Sequence, residues 1–275
     1  MINQSQTATA PSFEHITANC FINVPFQRLR NNLKTLIKQG IQPEIGLEGD
    51  TLYTCSETDF AQVAKALKDN GLACTLHAPF FDLAPGALDP YILEASRNKL
   101  RRAFSLIELF APKAIVCHLN YERDKHGNKQ DAWFDKSLST WQELLVIAGA
   151  NNVSLMLENT YETTPDQLKR MLVALDSPFV RFCLDVGHVH AFAKNRWQDW
   201  LPELEPWLGQ VHLHDNDGNR DSHLAPGQGS FDFAGLFSYL AMRKLSPIFT
   251  LEPHTEEGVG QSLQALANLE LFSTR

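Results

Sequence analysis

The chain has 275 residues, enough for one large α/β domain or two small ones, and its 44% hydrophobic content is ordinary for a soluble globular protein. Lys and Arg number 24 against 32 Asp and Glu, a formal net charge of −8, which argues against generic nucleic-acid binding because phosphate neutralisation needs clustered bases. There is no run of about 18 apolar residues, so a membrane-spanning helix is excluded.

Residues 1–12 are polar and lack the basic and apolar segments of a signal peptide; they are expected to form an irregular lead-in to one domain over 13–275. From there strand, loop and helix alternate about eight times. A strand over 16–22 precedes a helix over 26–39, which Gly40 stops. A short strand over 44–48 leads to a helix over 57–70, ended by Gly71 as a left-handed cap. The third strand spans 73–77, and a Pro/Gly loop over 78–89 opens a long helix over 90–110. A strand over 114–118, a polar loop over 120–130 and a helix over 132–148 follow. The fifth strand spans 153–158, and its helix is expected to start with Thr164 as N-cap and Pro165 in the first turn, running to Leu175. The sixth strand is 180–185, with a weaker helix around 197–207. The seventh is 210–214, and its long loop ends in a helix over 233–243. A strand over 248–252 and a helix over 261–272 close the chain.

Eight such units predict an α/β fold, a single (β/α)8 TIM barrel, whose usual size is about 250 residues. The strands are near-continuous apolar runs, as parallel strands covered on both faces require. A doubly wound open sheet would also alternate in this way, but no Gly-x-Gly-x-x-Gly follows the first strand. Cys20, Cys55, Cys74, Cys117 and Cys183 are scattered, mostly in strand-like runs, with no Cys-x-x-Cys pair. They read as buried free thiols in a reducing cytoplasm.

In such a barrel the loops after the strands open at one end, where the side chains at the strand tips converge. Here the tips carry His77, His118, Glu158, Asp185, His212 and Glu252, and the following loops add His188, Asp221 and His223. A single polar residue at a strand end means little; a chelating residue at six successive tips is the signal. Imidazole with carboxylate suits Zn, Mn, Fe or Co, whereas an all-oxygen set would suit Mg or Ca. A carboxylate can also bridge two ions about 3.5–4 Å apart, as two-metal hydrolysis needs. No Cys joins the set, which excludes a cysteine-built structural zinc site. Three divalent ions would bring the net charge from −8 to near −2.

The series Leu76-His77, Cys117-His118, Leu157-Glu158-Asn159, Leu184-Asp185-Val186-Gly187-His188, His212-Leu213-His214-Asp215, Asp221-Ser222-His223 and Leu251-Glu252 resembles the xylose-isomerase-like TIM barrel superfamily over nearly the whole chain. Within it the pattern is similar to the endonuclease IV branch (AP endonuclease family 2), whose members carry three zinc ions. The resemblance implies one ion on His77, His118 and Glu158. It implies a second on Glu158, Asp185, His212 and Glu252, and a third on His188, Asp221 and His223. The sugar isomerases and epimerases of the superfamily resemble this chain only in the second group. The branch's Gly-Glu-Gly is Gly227-Gln228-Gly229 here, so a glutamate role does not carry over. The basic, aromatic-bearing loops that grip DNA are replaced by Phe80 and Phe81 and by scattered Arg123, Lys125, Lys129 and Arg220, so DNA is not the expected substrate. The run from His77 to Pro90 also resembles a group of phosphodiesterases that remodel cobamides by opening the nucleotide loop.

His214 lies two residues beyond His212, on the same side of the strand, and competes with it as a ligand. The family motif favours His212, which leaves His214, with Asn120 and His190, as candidate substrate contacts. Phe80 and Phe81 read equally as a ring-stacking platform or as loop packing. Asp215 and Asp217 read as partners that orient ligands or as turn formers. His15, His126 and His254 read as structural or solvated, and Trp197, Trp200 and Trp207 as outer-layer packing. The expectation is therefore metal-dependent hydrolysis of a phosphodiester in a small, phosphorylated, non-DNA substrate such as a cobamide nucleotide loop. The alternative is isomerisation or epimerisation of a sugar or sugar phosphate, with Glu158 and Glu252 exchanging a proton. A metal-loaded ligand-binding barrel is the non-enzymatic reading.

Overall fold

A computed structural model describes residues 13–269; the expected lead-in over 1–12 and residues 270–272 of the expected last helix lie outside the described residues. Eight parallel strands close into a barrel in sequence order. They are β1 (Phe21–Pro25), β2 (Gln42–Gly46), β3 (Thr75–His77), β4 (Ala114–His118), β5 (Ser154–Glu158), β6 (Val180–Asp185), β7 (Leu208–Leu213) and β8 (Ile248–Leu251). Phe21 against Thr250 and Ile22 against Leu251 complete the closure. The chain is thus the expected (β/α)8 TIM barrel. No helix among the described residues is long and apolar enough to cross a membrane.

The longer helices lie outside and bury one apolar stripe each. Glu57–Asp69 is typical: Ser56 and Asp59 form a capping box, and Phe60, Val63, Ala64 and Leu67 face inward at helical spacing. Phe60 meets Phe26 with ring centroids 4.3 Å apart. Each large apolar side chain buried this way contributes about 1.5–3 kcal/mol.

Alternate strand residues face the barrel axis and form layers. The floor is apolar, with Ala114, Val116, Met156 and Cys183 packed together and Ile248 against them. Buried Glu44, Thr75, Gln210 and Thr250 form a polar layer, linked by hydrogen bonds from the other three to Glu44. The ligand-type strand tips stand at the mouth. Register places His118 beside Glu158 and Asp185 beside His212. The latter depends on a bulge: Phe182 pairs with Leu208 but Cys183 pairs with Gln210, so Gly209 is the extra residue. Without it Val211 would stand beside Asp185 and His212 would turn outward.

Several boundaries differ from the sequence expectation. Glu14–Thr17 forms a helical turn rather than the start of a strand, because Asn19 folds back to donate to the His15 carbonyl while Ile16 enters the core. The helix expected over 90–110 breaks into Pro90–Phe104 and Ile107–Phe110, where the Ser105 hydroxyl donates to the Arg102 carbonyl. The segment 197–207 is three short turns, since Pro202 and Pro206 each remove a helical donor. The helix expected to be capped by Thr164 starts at Asp166 with Pro165 at the cap; the Thr164 hydroxyl donates to Asp166 instead. The expected loop over 120–130 contains a helical turn, Arg123–His126. The last helix begins at Glu256, capped by Thr255, earlier than the expected 261.

Candidate metal centre

The six strand-tip residues and the three loop residues meet at the carboxyl-terminal mouth of the barrel. Glu158 is at the middle. Its Oε2 lies 3.2 Å from Nε2 of His77 and 3.3 Å from Nε2 of His118. Its Oε1 lies 3.5 Å from Nδ1 of His212 and 3.3 Å from Nδ1 of His188. Nδ1 of His212 is also 3.1 Å from Glu252 and 3.8 Å from Asp185. Asp221 is 3.3 Å from Nε2 of His188 and 2.9 Å from Nε2 of His223.

Backbone and side-chain acceptors fix which nitrogen each ring presents. His77, His188 and His223 point Nδ1 at the carbonyls of Ala78, Asn159 and Glu252, 2.8–2.9 Å away. A carbonyl only accepts, so Nδ1 donates and Nε2 is left as a lone pair for the site. His212 is reversed: its Nε2 faces Glu44 at 3.1 Å and Nδ1 faces the site.

The electrostatics show a self-compensating cluster. Burial pushes the Glu158 carboxyl up, but His118 and His212 outweigh it and hold it well below the usual range. Burial is likewise outweighed at Asp185, by His188 and His214. Among the imidazoles, burial lowers His77 and His223, yet Glu158 and Asp221 bring each up to about 9. His118 is driven below its ordinary value by burial and by the neighbouring charges of His77 and His188. Glu252 is the exception among the carboxyls: burial raises it, and the charges of Asp185 and Glu158 add to the rise.

These residues fit divalent ions. Two donors on one tetrahedral zinc at about 2.1 Å lie ~3.4 Å apart, and the pairs above lie between 2.9 and 3.8 Å. Glu158 Oε1, His212 Nδ1, His214 Nδ1 and Asp221 Oδ1 are buried with no hydrogen-bond partner, and all face this cluster. Orphaned buried polar atoms are costly unless something else satisfies them. His77–His118–Glu158, His77–His212–Glu252 and Glu158–Asp185–His188 each gather ligand atoms within 4.8 Å.

Above the cluster is a cavity of about 420 Å³. Its lining includes the aromatic rings of Phe80, Phe81, Tyr161 and Phe192, and also Arg28, Glu48 and His254. Phe80 stacks on His118 at 4.5 Å, and Phe192 leans on His188 at 5.4 Å. Asn120 and His190, expected as substrate contacts, do not line the cavity: Asn120 donates to the Leu83 carbonyl and His190 pairs with Ser230. His214, grouped with them, is buried inside the cluster. Asp215 organises a loop, its carboxylate accepting from the backbone N–H groups of Asn216, Gly227, Gly229 and Phe231. Asp217 forms a turn by accepting from Asn219 N–H.

Sequence reasoning misses several neighbours. Glu44 on β2 is fully buried beneath His212, yet a lone Glu in a short strand carries no signal without the pairing pattern. Asn23 on β1 donates to both Glu44 and Glu252. His254, expected to be structural or solvated, stacks on His223 at 3.7 Å and lines the cavity. Cys183, grouped by sequence with the other thiols, sits within 4.8 Å of Glu158 and His212, though burial pushes its thiol well up. Only its inward register, two residues before Asp185, could have revealed it.

Uncharacterized protein MJ1311 of Methanocaldococcus jannaschii is 27% identical over 169 residues, 58% of this chain and 56% of its own. Uncharacterized protein MJ1614 of the same organism is 26% identical over 168 residues, 59% and 63% of the two chains, so this chain spans less than two thirds of either relative. Among solved structures, a D-tagatose 3-epimerase-like protein matches with TM-score 0.78 and 20% identity, covering 92% of this chain and 96% of its own. The TTHB071 protein of Thermus thermophilus, soaked with ZnCl2, gives 0.74 and 22% over 93% and 98% of the two chains. The 3-keto-D-glucoside 4-epimerase YcjR of E. coli gives 0.69 and 18% over 92% and 98%. At these identities the likeness is one of fold, and two of these three structures bear epimerase names while none is named as a phosphodiesterase. A family model described as xylose isomerase-like TIM barrel matches residues 40–269, and with the closed barrel and its ligand-bearing mouth this assigns the chain to that family.

Proposed function

We propose that the protein is a divalent-metal-dependent enzyme that hydrolyses a phosphodiester in a small substrate. The observation that carries this reading is the division of labour at Glu158: Oε2 faces His77 and His118 while Oε1 faces His212. A carboxylate whose two oxygens serve two donor groups is built to bridge a pair of ions. His77, His118 and Glu158 would hold one ion, and Glu158, Asp185, His212 and Glu252 a second. His188, Asp221 and His223 would hold a third. The mixed imidazole and carboxylate donors suit zinc or manganese, with iron or cobalt next. Such ions would supply Lewis acidity and a bound water whose proton is lost near neutral pH.

The chain's own groups then have distinct tasks. Glu158 and Asp185 stay charged and fix the geometry. Glu252, 3.1 Å from Nδ1 of His212, would hold or orient the attacking water. Phe80 and Phe81 shield the site and offer a flat surface to an apolar part of the substrate. Among the described residues, Arg28 is the one Arg or Lys lining the cavity and is placed to meet an anionic group. One base in a cavity of about 420 Å³ suits a small phosphorylated compound rather than duplex DNA. A cobamide nucleotide loop, the substrate of the branch resembled over His77–Pro90, belongs to that class. The five free cysteines suit a reducing cytoplasm.

A second reading, sugar epimerisation, is favoured by the comparisons over the hydrolase, since the neighbouring solved structures bear epimerase names. It would use Glu158, Asp185, His212 and Glu252 around one ion, with Glu158 and Glu252 exchanging the proton. Metal content per chain, with turnover of bis-p-nitrophenyl phosphate and of D-tagatose, separates the two. Three ions and phosphodiester cleavage that collapses in His118→Ala are expected. One ion per chain with D-tagatose turnover would instead establish the epimerase.

A further inference from the structure

The cavity above the cluster carries aromatic rings that metal binding does not need. Phe80 and Phe81, in the loop after β3, pack on each other with centroids 4.4 Å apart; Tyr161 and Phe192, in the loops after β5 and β6, do so at 5.2 Å. Ligand imidazoles join the two pairs: Phe80 stacks on His118, His118 meets His188 at 6.0 Å, and Phe192 leans on His188. Phe81, Phe80, His118, His188, Phe192 and Tyr161 thus form one continuous arc of rings, and all of them line the cavity. Its two ends are open, with Phe81 61% exposed and Tyr161 49% exposed. Both ends are also held. Phe81 precedes Asp82, which takes a left-handed backbone of φ +57°, and the Ala84 N–H donates to the Ser96 hydroxyl. Asn195 donates to the Thr163 carbonyl, tying the loop of Phe192 to that of Tyr161. Phe192 itself lies in a π-helical turn, Val189–Ala193, a rare form often found at functional sites. A polyhydroxylated ligand needs a polar partner for most of its oxygens, and the lining beyond the cluster offers few. Asn23 already donates to Glu44 and Glu252, and the Thr160 hydroxyl is buried. Ring face is what this lining offers most.

We infer that the arc is a subsite for a planar aromatic ring that the substrate carries beside its phosphodiester, as a nucleotide does, and that Phe81 and Tyr161 at its open ends are specificity-determining residues. Aromatic side chains stack on any flat π-system whatever its hydrogen-bonding pattern, so the subsite selects a ring and not one particular base. The phosphate would reach the donor groups that line the same cavity. This inference deepens the phosphodiesterase reading above and rests on it for the phosphate.

The test compares AMP with ribose 5-phosphate, which share ribose and phosphate and differ in the ring. Binding of each to the zinc-loaded full chain is measured by isothermal titration calorimetry. AMP should bind roughly tenfold tighter or more, as stacking of a base on aromatic side chains gives. Phe81→Ala and Tyr161→Ala should each lower the ratio of the two affinities severalfold while the ions per chain stay at the wild-type count. Phe81→Trp and Tyr161→Phe, which keep a ring, should preserve the ratio. Equal affinity of the wild type for the two compounds would overturn the inference. So would a ratio that neither alanine variant moves, which would make these rings loop packing. Turnover of bis-p-nitrophenyl phosphate by the same wild-type preparation separates the two levels. Turnover without a preference for AMP removes the ring subsite alone; a preference for AMP without turnover removes the hydrolase and leaves the subsite standing.

Discussion

The site is built in two ways. Six of its residues sit on strand tips, where the hydrogen-bonded ladder fixes both position and facing; His77, His118, Glu158, Asp185, His212 and Glu252 are all buried. The third group is borne by loops. Asp221 and His223 are only half-buried, and His223 takes a left-handed backbone, φ +47°, which a non-glycine residue adopts at some cost. The loop that carries them is tied down by the four N–H groups converging on Asp215 and by a single bridge between Asp215 and Leu224. A ligand on a strand is positioned by the barrel itself, whereas a ligand on a loop needs tethers of its own.

Four variants would break or sharpen that contrast. Glu158→Gln should have the largest effect, emptying both strand-borne groups while the loop-borne group keeps its ion. Phosphodiester turnover should fall by roughly 10²–10⁴-fold, and metal counting that shows all three groups emptied equally would dissolve the distinction. Glu44→Gln strikes the strand half from beneath, because Glu44 faces Nε2 of His212. Affinity for one ion should drop about 10–100-fold, measured by competition with a chelating dye, and a rotated His212 should appear in its ring-nitrogen chemical shifts. Asp215→Asn strikes the loop half alone. It weakens charge-assisted bonds of about 1.5–3 kcal/mol each, so thermal unfolding should move down and the third ion should loosen while the other two stay.

Glu162→Gln is the mildest. Glu162 is buried in the loop after β5 and accepts from the N–H groups of Thr160 and Tyr121, joining two loops. Burial raises its carboxyl from 4.5 to about 7. The folded state therefore holds a proton that the unfolded state has lost across that window, and stability falls as pH rises from 4.5 toward 7. The variant should flatten this slope by on the order of 1–3 kcal/mol, read from urea unfolding at pH 5 and pH 8. An unchanged slope would show that Glu162 is not the group responsible.

By itself the sequence determined the barrel and the chemistry of its mouth. Eight apolar runs, each followed by helical periodicity, admit few folds, and a chelating residue at the end of successive runs is visible wherever the strand boundary falls within a residue or two. His77, His118, Glu158 and Asp185 are therefore readable as a set. Tertiary structure decided what depends on register and on contacts far apart in the chain. The register shift at Gly209 seats His212, legible as a strand-tip ligand, directly beside Asp185, and that pairing is not written in the local pattern. Glu44, far from His212 in sequence, becomes its partner only when the barrel closes. His254, alike in sequence to any surface histidine, is drawn into the site because the loop after β8 folds over the same mouth. Periodicity is a local property of the chain, whereas pairing across the barrel is a property of its closure, so the first can be read along the sequence and the second only in space.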